Sequence, residues 1–430
     1  AFEDEILKTK YPDYKLESII DFLNCKHKKD NILEAIEEIE KLRDSGLLFT
    51  NDSYFHQDIF RDHDTVIKAL CLHIAHDCNL RCKYCFASQG DFKGDRSLMT
   101  TAVGKKSIDF LVGNSGNRKN LEVDFFGGEP LMNFDVVKEI IEYGRYVEKN
   151  NGKNIRFTIT TNGILLNDEI IDYINSNMHN VVLSIDGRKN INDRMRSTIN
   201  GRGCYDIILP KFIKMAKLRG KKDYFVRGTF TRHNLDFTND VLHLADLGFK
   251  NISVEPVVSS EENDYSIREI DLPQIYEEYE KLSEEYIKRA KSVNKFNFFH
   301  FMIDLDQGPC LVKRLRGCGA GAEYMAVTPE GDLFPCHQFV GDDDFKLGNV
   351  FDGIINTSIN RPFSKANIYE KEACRKCWAK YYCSGGCHAN AYNFNNDVFI
   401  PYEIGCKMQR KRIECALAIK AELMGVTDFD

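Results

Sequence analysis

Along residues 71–257 the spacing of hydrophobic positions changes repeatedly between a pattern typical of strands and a pattern typical of helices. Short runs rich in apolar and β-branched residues predict six strands, and the segments between them carry apolar residues at helical spacing. The predicted strands are Cys71–Asp77, Leu121–Gly127, Ile155–Thr161, Asn180–Asp186, Tyr224–Thr231 and Asn251–Val257. The predicted helices are Thr101–Asn114, Phe134–Asn150, Asp168–Met178, Ile207–Arg219 and Phe237–Leu247. This order is typical of an α/β fold, and six repeats predict a partial (β/α)6 barrel rather than a closed eightfold one.

Two amphipathic helical patterns precede this region, over Tyr14–Leu23 and Asn31–Ser45. Gly46 is placed to end the second helix, and Leu47–Thr50 has the pattern of a strand. Helix, helix and strand in this order predict a small winged-helix-like domain over residues 1–68. Such domains often bind DNA, but the first seventy residues hold 10 Lys and Arg against 16 Asp and Glu. This acidic balance argues against nucleic acid as a partner.

Composition narrows the class of protein. The chain has 430 residues, of which 43% are hydrophobic and 29% charged, as is typical of a globular protein with two or three domains. It contains no apolar run of about eighteen residues and no secretory signal, so we expect a cytoplasmic protein without a membrane partner. The 15 cysteines are an odd number arranged in clusters. That arrangement argues against a disulfide framework and indicates metal ligands in a reducing compartment.

The most specific signal is the Cys-x3-Cys-x2-Cys spacing of Cys78, Cys82 and Cys85, directly after the first predicted strand. Three thiolates can hold three irons of a cubane cluster and leave the fourth iron for another ligand. A structural zinc site with His76 as fourth ligand is the alternative. The motif resembles the signature of radical S-adenosylmethionine (SAM) enzymes. That resemblance implies that the open iron binds the methionine part of SAM, and that Tyr84 packs near its adenine.

Polar groups at three further strand ends extend this resemblance. Gly127 and Gly128 permit close approach of the backbone to a ligand, and Glu129 offers an acceptor for an ammonium group. This stretch is similar to the Gly-Gly-Glu-Pro element of the family, and Arg196 matches an arginine that meets the cofactor carboxylate. The SAM-binding residues that the resemblance implies are Tyr84, Gly127, Gly128, Glu129, Pro130, Thr161, Asn162, Ser184, Asp186 and Arg196. Taken singly, each of these could instead be a turn or a cap.

A second set of cysteines lies in the C-terminal third, where Gly331 to Cys336 predicts a hairpin turn that delivers a thiolate. The spacing resembles the SPASM domain of radical SAM enzymes that act on peptides; a zinc ribbon is the alternative. By this resemblance one auxiliary [4Fe–4S] cluster is held by Cys374, Cys377, Cys383 and Cys406. The other is held by Cys318, Cys336 and Cys387. Two such clusters take eight thiolates and the pattern supplies seven, so either Cys310 is the eighth ligand or this cluster keeps an open iron for a thiolate of the substrate.

Nearly the whole chain resembles a radical SAM–SPASM peptide maturase, with organisation closest to the maturases of SCIFF peptides (six cysteines in forty-five residues). The resemblance implies a leader-recognition domain at residues 1–68, the barrel and a bridging segment at 69–305, and the SPASM domain at 306–430. It further implies three [4Fe–4S] clusters, SAM, and a thioether from a cysteine sulfur to the α-carbon of a threonine. The implied partners are a Cys-rich precursor peptide with a leader and an electron donor such as ferredoxin or flavodoxin.

Two other functions remain open from the sequence. An anaerobic sulfatase maturase, which oxidises Cys or Ser to formylglycine, has a similar cysteine array and would use Cys310 as a ligand. A non-catalytic iron–sulfur carrier or scaffold is the alternative from a different class. Such a protein would have no use for the Gly-Gly-Glu-Pro stretch and the polar groups at the other strand ends.

Overall fold

The computed structural model describes residues 16–25, 27–48, 52, 66–305 and 314–424. The chain divides into two compact units, residues 1–63 and 64–430. The division into three domains that the sequence suggests stays a prediction.

In the first unit, α1 (Leu16–Leu23) and α2 (Lys29–Asp44) are the two helices that the sequence predicts. Gly46, with φ +73°, follows the end of α2, as expected for a glycine that ends a helix. Leu47 and Leu48 do not form a strand, and the rest of the predicted strand lies outside the described residues. The winged-helix-like shape therefore stays a prediction.

The described part of the second unit is built on one sheet. Its strands are β1 (Ala69–Ala75), β2 (Asn120–Gly127), β3 (Asn154–Thr161), β4 (Asn180–Ser184), β5 (Phe225–Phe230), β6 (Asn251–Pro256), β7 (Asn297–Phe298), β8 (Tyr324–Val327), β9 (Asp332–Phe334), β10 (Gly348–Asn349) and β11 (Gly353–Ile354). Their order in the sheet is β11-β10-β9-β8-β1-β2-β3-β4-β5-β6-β7. Neighbouring strands are parallel in the part that runs from β8 through β1 to β7, and antiparallel in the part that runs from β8 to β11. The six predicted strands and the α/β class are thus confirmed.

Helices separate the strands of the barrel and continue through the C-terminal region. They are α3 (Thr101–Gly113), α4 (Phe134–Asn151), α5 (Asp168–Asn177), α6 (Lys189–Met195), α7 (Tyr205–Arg219), α8 (Phe237–Asp246), α9 (Leu272–Ala290), α10 (Thr357–Lys365), α11 (Glu372–Arg375), α12 (Lys380–Cys383), α13 (His388–Asn395) and α14 (Glu403–Met424). Side chains cap several of them: the Thr100 hydroxyl accepts from the backbone N–H of Val103 at the start of α3, and Asn167 does the same at α5. None of the described helices is long and apolar enough to cross a membrane.

The central strand β1 is buried along its whole length. Leu70, Leu72 and Ile74 belong to the main core, which includes buried residues of α3 and α4, whereas Cys71 belongs to a second cluster with Phe92 and Phe334. Because successive side chains of a strand point to opposite faces, β1 contributes to both cores at once. A parallel strand with both faces covered is expected to be hydrophobic throughout.

Strand β8 joins the C-terminal region to the barrel, because it pairs in parallel with β1, with Ala69 opposite Tyr324. The hairpin from β8 to β9 that the sequence predicts is present, and Gly331 at its turn has φ +91°, a conformation that favours glycine. The chain after β9 carries Cys336 into the buried cluster that also contains Cys71 of β1 and Phe92. Only β8 separates β9, which leads to Cys336, from β1, which leads to the Cys-x3-Cys-x2-Cys motif.

Candidate active site

A single cavity of about 810 Å³ opens at the carboxyl ends of the barrel strands and reaches the C-terminal cysteines. Eleven of the residues with a predicted role in the barrel line it: Cys78, Cys82, Tyr84, Cys85, Gly127, Gly128, Glu129, Thr161, Asn162, Ser184 and Arg196. Four cysteines of the C-terminal region line it as well: Cys318, Cys383, Cys387 and Cys406. This is the edge at which α/β barrels carry their active sites, and the volume is that of a typical ligand pocket.

The loop after β1 presents its three cysteines as neighbours. Burial, followed by the nearby carboxyl group of Glu129, raises the pKa of Cys78 to about 11. Burial also raises the pKa of Cys82 to about 12, and the thiols of Cys78 and Cys85 contribute to that increase. The backbone N–H of Leu80 donates to Cys78 Sγ at 3.4 Å. The thiols of Cys78 and Cys82 are therefore protonated in the metal-free protein near neutral pH, and a metal must displace their protons to bind.

Backbone hydrogen bonds hold this loop against the segment that follows α6. The N–H of Arg81 donates to the carbonyl of Ser197 at 2.7 Å, and the N–H of Lys83 to that of Met195 at 2.9 Å. The chain thereby fixes the three thiols relative to Arg196, which lies between these two carbonyls in the sequence.

Glu129 is buried at the end of β2, and its carboxylate accepts three hydrogen bonds. The donors are the Thr161 hydroxyl at 2.7 Å, the Asn162 N–H at 2.8 Å and the Leu131 N–H at 3.1 Å. Burial raises the pKa of Glu129 to about 7, although these hydrogen bonds and the charge of Arg196 act in the opposite direction. Glu129 therefore gains or loses a proton near neutral pH, and a cationic ligand beside it would favour the ionised form.

The two glycines before Glu129 lie against the cysteine loop. A Cβ atom on Gly128 would stand 2.1 Å from the carbonyl oxygen of Asp77, and one on Gly127 2.4 Å from that of Ala75. The N–H of Gly128 donates to Ala75 O at 2.8 Å. Only glycine fits at these two positions, so the backbone itself lines the cavity here.

Tyr84, Asp186 and Arg196 form a hydrogen-bonded group behind the cysteine loop. The Tyr84 hydroxyl donates to Asp186 at 2.7 Å and accepts from Arg196 Nη1 at 3.1 Å. The N–H of Thr229 also donates to Asp186, at 3.0 Å. Burial raises the pKa of Asp186 to about 6, while the charge of Arg196 and the hydrogen bond from Tyr84 counteract this. Within the described residues, Nε of Arg196 is buried without a hydrogen-bond partner.

The C-terminal cysteines form two groups of neighbouring thiols. Burial raises the pKa of Cys336, and the thiols of Cys387 and Cys318 add to the increase. In the other group, burial raises the pKa of Cys406 to about 12 and that of Cys374 to about 11, with Cys383 contributing to both. Cys377 neighbours Cys374 and Cys383. None of these seven C-terminal cysteines is in a disulfide.

Two family models match the chain: the radical SAM superfamily over residues 72–231 and an iron–sulfur cluster-binding domain, SPASM, over residues 318–378. An uncharacterised protein of Methanocaldococcus jannaschii, MJ0907, is 30% identical, and the match covers 66% of this chain and 90% of that protein. The chain belongs to the radical SAM superfamily. Among its other relatives, the cysteine-type anaerobic sulfatase-maturating enzyme of Clostridium novyi is 26% identical over 74% of this chain and 87% of that enzyme.

Solved structures share the radical SAM fold of this chain. Native anSMEcpe with bound AdoMet superposes with a TM-score of 0.67 at 20% identity, covering 84% of this chain and 100% of the other. Streptococcus suis SuiB bound to the precursor peptide SuiA gives a TM-score of 0.55 at 17% identity, covering 92% of this chain and 87% of the other. Membership of the superfamily implies SAM and [4Fe–4S] cofactors.

The donor atoms of the cysteine groups in this radical SAM chain are those that the cofactors require. Each of the three groups contains only thiols, the ligands that iron–sulfur clusters take. Among the described residues, no three Cys, His, Asp or Glu side chains converge closely enough to hold a single metal ion. The assignment of these thiols to three clusters stays a prediction, and Cys310 lies outside the described residues.

Not every predicted residue lines the cavity. Asp186 stands behind Tyr84, and Pro130 is buried at the start of a 3₁₀ turn, Pro130–Asn133. Sequence reasoning missed Arg227, Thr229 and Glu255, which line the cavity from β5 and β6. Glu129 and Asp186 were predicted because polar groups at the carboxyl ends of parallel strands face the site. The same criterion applies equally to β5 and β6, the strands that carry these three residues.

Proposed function

We propose that this radical SAM–SPASM chain is a peptide maturase that joins a cysteine sulfur to the α-carbon of a threonine in a Cys-rich precursor peptide. The observation that carries the proposal is the single cavity of about 810 Å³ that connects the Cys78 loop with Cys318, Cys387 and Cys406. A substrate residue in this cavity has thiols of the barrel on one side and thiols of the C-terminal region on the other. SuiB, which shares the fold, has been solved with a precursor peptide bound.

The residues of the barrel hold the cofactor in this proposal. Glu129 accepts hydrogen bonds from the ammonium group of SAM, Arg196 binds its carboxylate, and Tyr84 contacts its adenine. Gly127 and Gly128 allow the backbone to approach the cofactor closely; the other contacts come from Pro130, Thr161, Asn162, Ser184 and Asp186. When bound, a reduced [4Fe–4S] cluster on Cys78, Cys82 and Cys85 supplies the electron that cleaves SAM to a 5′-deoxyadenosyl radical, which removes one hydrogen atom from the acceptor residue.

Two auxiliary clusters complete the proposed set of three. Cys374, Cys377, Cys383 and Cys406 hold one, and Cys318, Cys336 and Cys387 hold the other. The second set lacks one thiolate, which either Cys310 or the donor cysteine of the peptide supplies. Formation of the thioether would release the thiol proton, transfer one hydrogen atom from the α-carbon to the 5′-deoxyadenosyl radical and pass one electron to an auxiliary cluster, so the product is lighter than the precursor by two hydrogens.

The decisive experiment incubates reduced enzyme anaerobically with SAM and a candidate Cys-rich precursor, followed by mass spectrometry. We expect a loss of two hydrogens per turnover, one cysteine that no longer reacts with an alkylating agent, and formation of 5′-deoxyadenosine. Absence of 5′-deoxyadenosine after reduction would instead favour a carrier or scaffold of iron–sulfur clusters.

The second candidate is a formylglycine-generating sulfatase maturase. The anaerobic sulfatase-maturating enzyme of Clostridium novyi and the fold shared with anSMEcpe favour it. It predicts conversion of one Cys or Ser to an aldehyde, which reacts with hydrazides, and a full ligand set that includes Cys310. Iron analysis of the Cys310→Ala variant tests this ligand set: unchanged iron would contradict the sulfatase-maturase interpretation and support a site completed by the substrate, whereas loss of iron would show that Cys310 is a ligand, which both interpretations allow.

The proposed role of residues 1–68 is recognition of the leader of the precursor peptide. The acidic balance of this region disfavours nucleic acid, and enzymes of this kind bind an extended leader through main-chain hydrogen bonds. Deletion of residues 1–68 is expected to abolish turnover of leader-bearing peptide while uncoupled cleavage of SAM continues. Unchanged peptide turnover would contradict this role. An electron donor such as ferredoxin or flavodoxin is the proposed reductant.

A further inference from the structure

Lys371 is a fully buried lysine in the cysteine-rich region, directly before α11. Its Nζ donates a hydrogen bond to the carbonyl oxygen of Gly385 at 2.8 Å. Within the described residues, no carboxylate lies at ion-pair distance from it. A buried ammonium group is unfavourable unless opposite charge compensates it, so its surroundings must supply that charge.

Lys371 reaches the loop between ligands proposed for two clusters. Gly385, which accepts its hydrogen bond, follows Cys383 by two residues and precedes Cys387 by two, and the backbone N–H of Cys374 donates to the Lys371 carbonyl at 3.0 Å. Burial lowers the pKa of Lys371, and the neighbouring groups that oppose this are Cys374, Cys383, Cys387 and Cys406. Cys387 belongs to the set of Cys318 and Cys336, whereas the other three belong to the set of Cys377. One side chain thus stands beside ligands proposed for two different clusters.

Cluster binding would supply that charge. Iron–sulfur clusters take cysteines as thiolates, so a cluster held by either set would place negative charge next to the Lys371 ammonium group.

We propose that Lys371 is a positioning residue that raises the reduction potentials of both auxiliary clusters. Reduction adds negative charge to a cluster, and a fixed positive charge in a low-dielectric region stabilises the reduced form. Because the ammonium group stands beside ligands of both sets, it acts on the two clusters together. The inference rests on the assignment of two auxiliary clusters under the proposed function.

The test measures reduction potentials, which a purely structural lysine would leave unchanged. The parent protein is the Cys78→Ala, Cys82→Ala, Cys85→Ala variant, so that only auxiliary clusters contribute to the EPR signal. Iron and sulfide are counted first, and the clusters are then titrated potentiometrically without oxygen. In Lys371→Met we expect the ratio of reduced to oxidised cluster at a fixed potential to fall about tenfold, which corresponds to about 59 mV for a one-electron couple.

Two variants separate charge from shape. Lys371→Arg keeps the charge and is expected to retain both potentials within about twofold in that ratio. Lys376→Met removes a lysine whose side chain is 82% exposed next to Cys377, where solvent screens the charge, and should leave both potentials unchanged. Equal potentials in Lys371→Met and the parent protein, or an equal fall in Lys371→Arg, would overturn the inference.

Assembly of the clusters provides a second readout. If neither Lys371→Met nor Lys371→Gln takes up auxiliary iron while Lys371→Arg does, the positive charge is required beside the clusters and the inference is supported. Loss of iron in all three variants would show that the shape of lysine matters instead, and would overturn it. A parent protein without auxiliary iron would contradict the proposed cluster assignment itself, which is a different failure.

Discussion

The Tyr84 hydroxyl group donates a hydrogen bond to the carboxylate of Asp186, with distances of 2.8 and 2.7 Å to its two oxygens. Tyr84 belongs to the cysteine loop after β1, whereas Asp186 follows β4, so one contact joins two strand ends that are separated by 102 residues. Arg196, in a third segment of the chain, donates a hydrogen bond to the same Tyr84 hydroxyl group. This contact holds the cysteine loop in a fixed position relative to the barrel.

Tyr84→Phe is expected to destabilise the metal-free protein by about 1.5–3 kcal/mol, the range for a hydrogen bond to a charged group. The buried Asp186 carboxylate would lose a donor while the ring of residue 84 keeps its packing. The measurement is chemical denaturation without clusters, with SAM affinity of the reconstituted enzyme as a second readout.

Tyr143→Phe is the matched control. The Tyr143 hydroxyl donates to Asp109 at 2.8 Å, but this pair is exposed, so its loss should change the free energy of unfolding by less than about 0.5 kcal/mol. Equal effects of the two substitutions would show that the hydrogen bond between Tyr84 and Asp186 carries no special stability.

The pKa of about 7 for Glu129 predicts that SAM affinity depends on pH. Under the proposed function the ammonium group of SAM binds beside this carboxylate and favours its ionised form, so affinity should increase from pH 6 to pH 8 and level off above. The sign for stability is opposite: because burial raises this pKa above its ordinary value, the free protein loses stability as pH rises towards 7. Titration calorimetry of the reconstituted enzyme with SAM measures the first effect.

Glu129→Gln removes the titrating group and keeps its shape. This variant should bind SAM at least about tenfold more weakly at pH 8, and its affinity should no longer change between pH 6 and pH 8. A pH profile that stays the same as in the unmodified protein would assign the dependence to another group.

The barrel elements could be predicted from the sequence because their signals are local. Apolar runs between helical segments identify the strands, and Thr100 and Asn167 stand where helices begin. The membership of the three proposed cluster-binding sets rests on the resemblance of the cysteine spacing and stays a prediction. Local patterns could not give the pairing of β8 with β1, since register between segments about 250 residues apart depends on tertiary packing.

The same limit applies to single residues of the site. Nothing in the local sequence distinguishes Lys371 from its exposed neighbour Lys376; only the fold shows which of the two is buried beside thiols. Asp186 was predicted as a cofactor contact, yet the structure places it behind Tyr84, outside the cavity lining. The sequence pattern identified Asp186 as a residue at a strand end. It could not show that the partner of its carboxylate is Tyr84, a residue on a loop distant in the sequence.

Gly128→Ala is expected to prevent SAM binding and to destabilise the protein, because the new Cβ atom would lie 2.1 Å from the backbone oxygen of Asp77. A backbone atom cannot move aside as a side chain can, so the loop that carries Cys78 must shift. Gly113→Ala is the control: no atom lies within 4 Å of a Cβ at that helical position, and alanine there should be neutral or stabilising. Thermal unfolding and iron content compare the two, and equal behaviour would contradict the close-approach argument.

Arg188→Met tests the support of the loop that carries Asp186. The fully buried carboxylate of Asp240 accepts from Arg188 Nε at 2.8 Å and from Asn234 Nδ2 at 3.0 Å. Removing the guanidinium leaves this buried charge without its counter-ion, which costs about 3–5 kcal/mol. Chemical denaturation should show that loss, whereas Arg156→Met, which breaks an exposed ion pair at 3.6 Å, should change stability by about 1 kcal/mol or less. Similar losses of stability in both variants would mean that the ion pair between Arg188 and the buried Asp240 stabilises the protein no more than an exposed ion pair does.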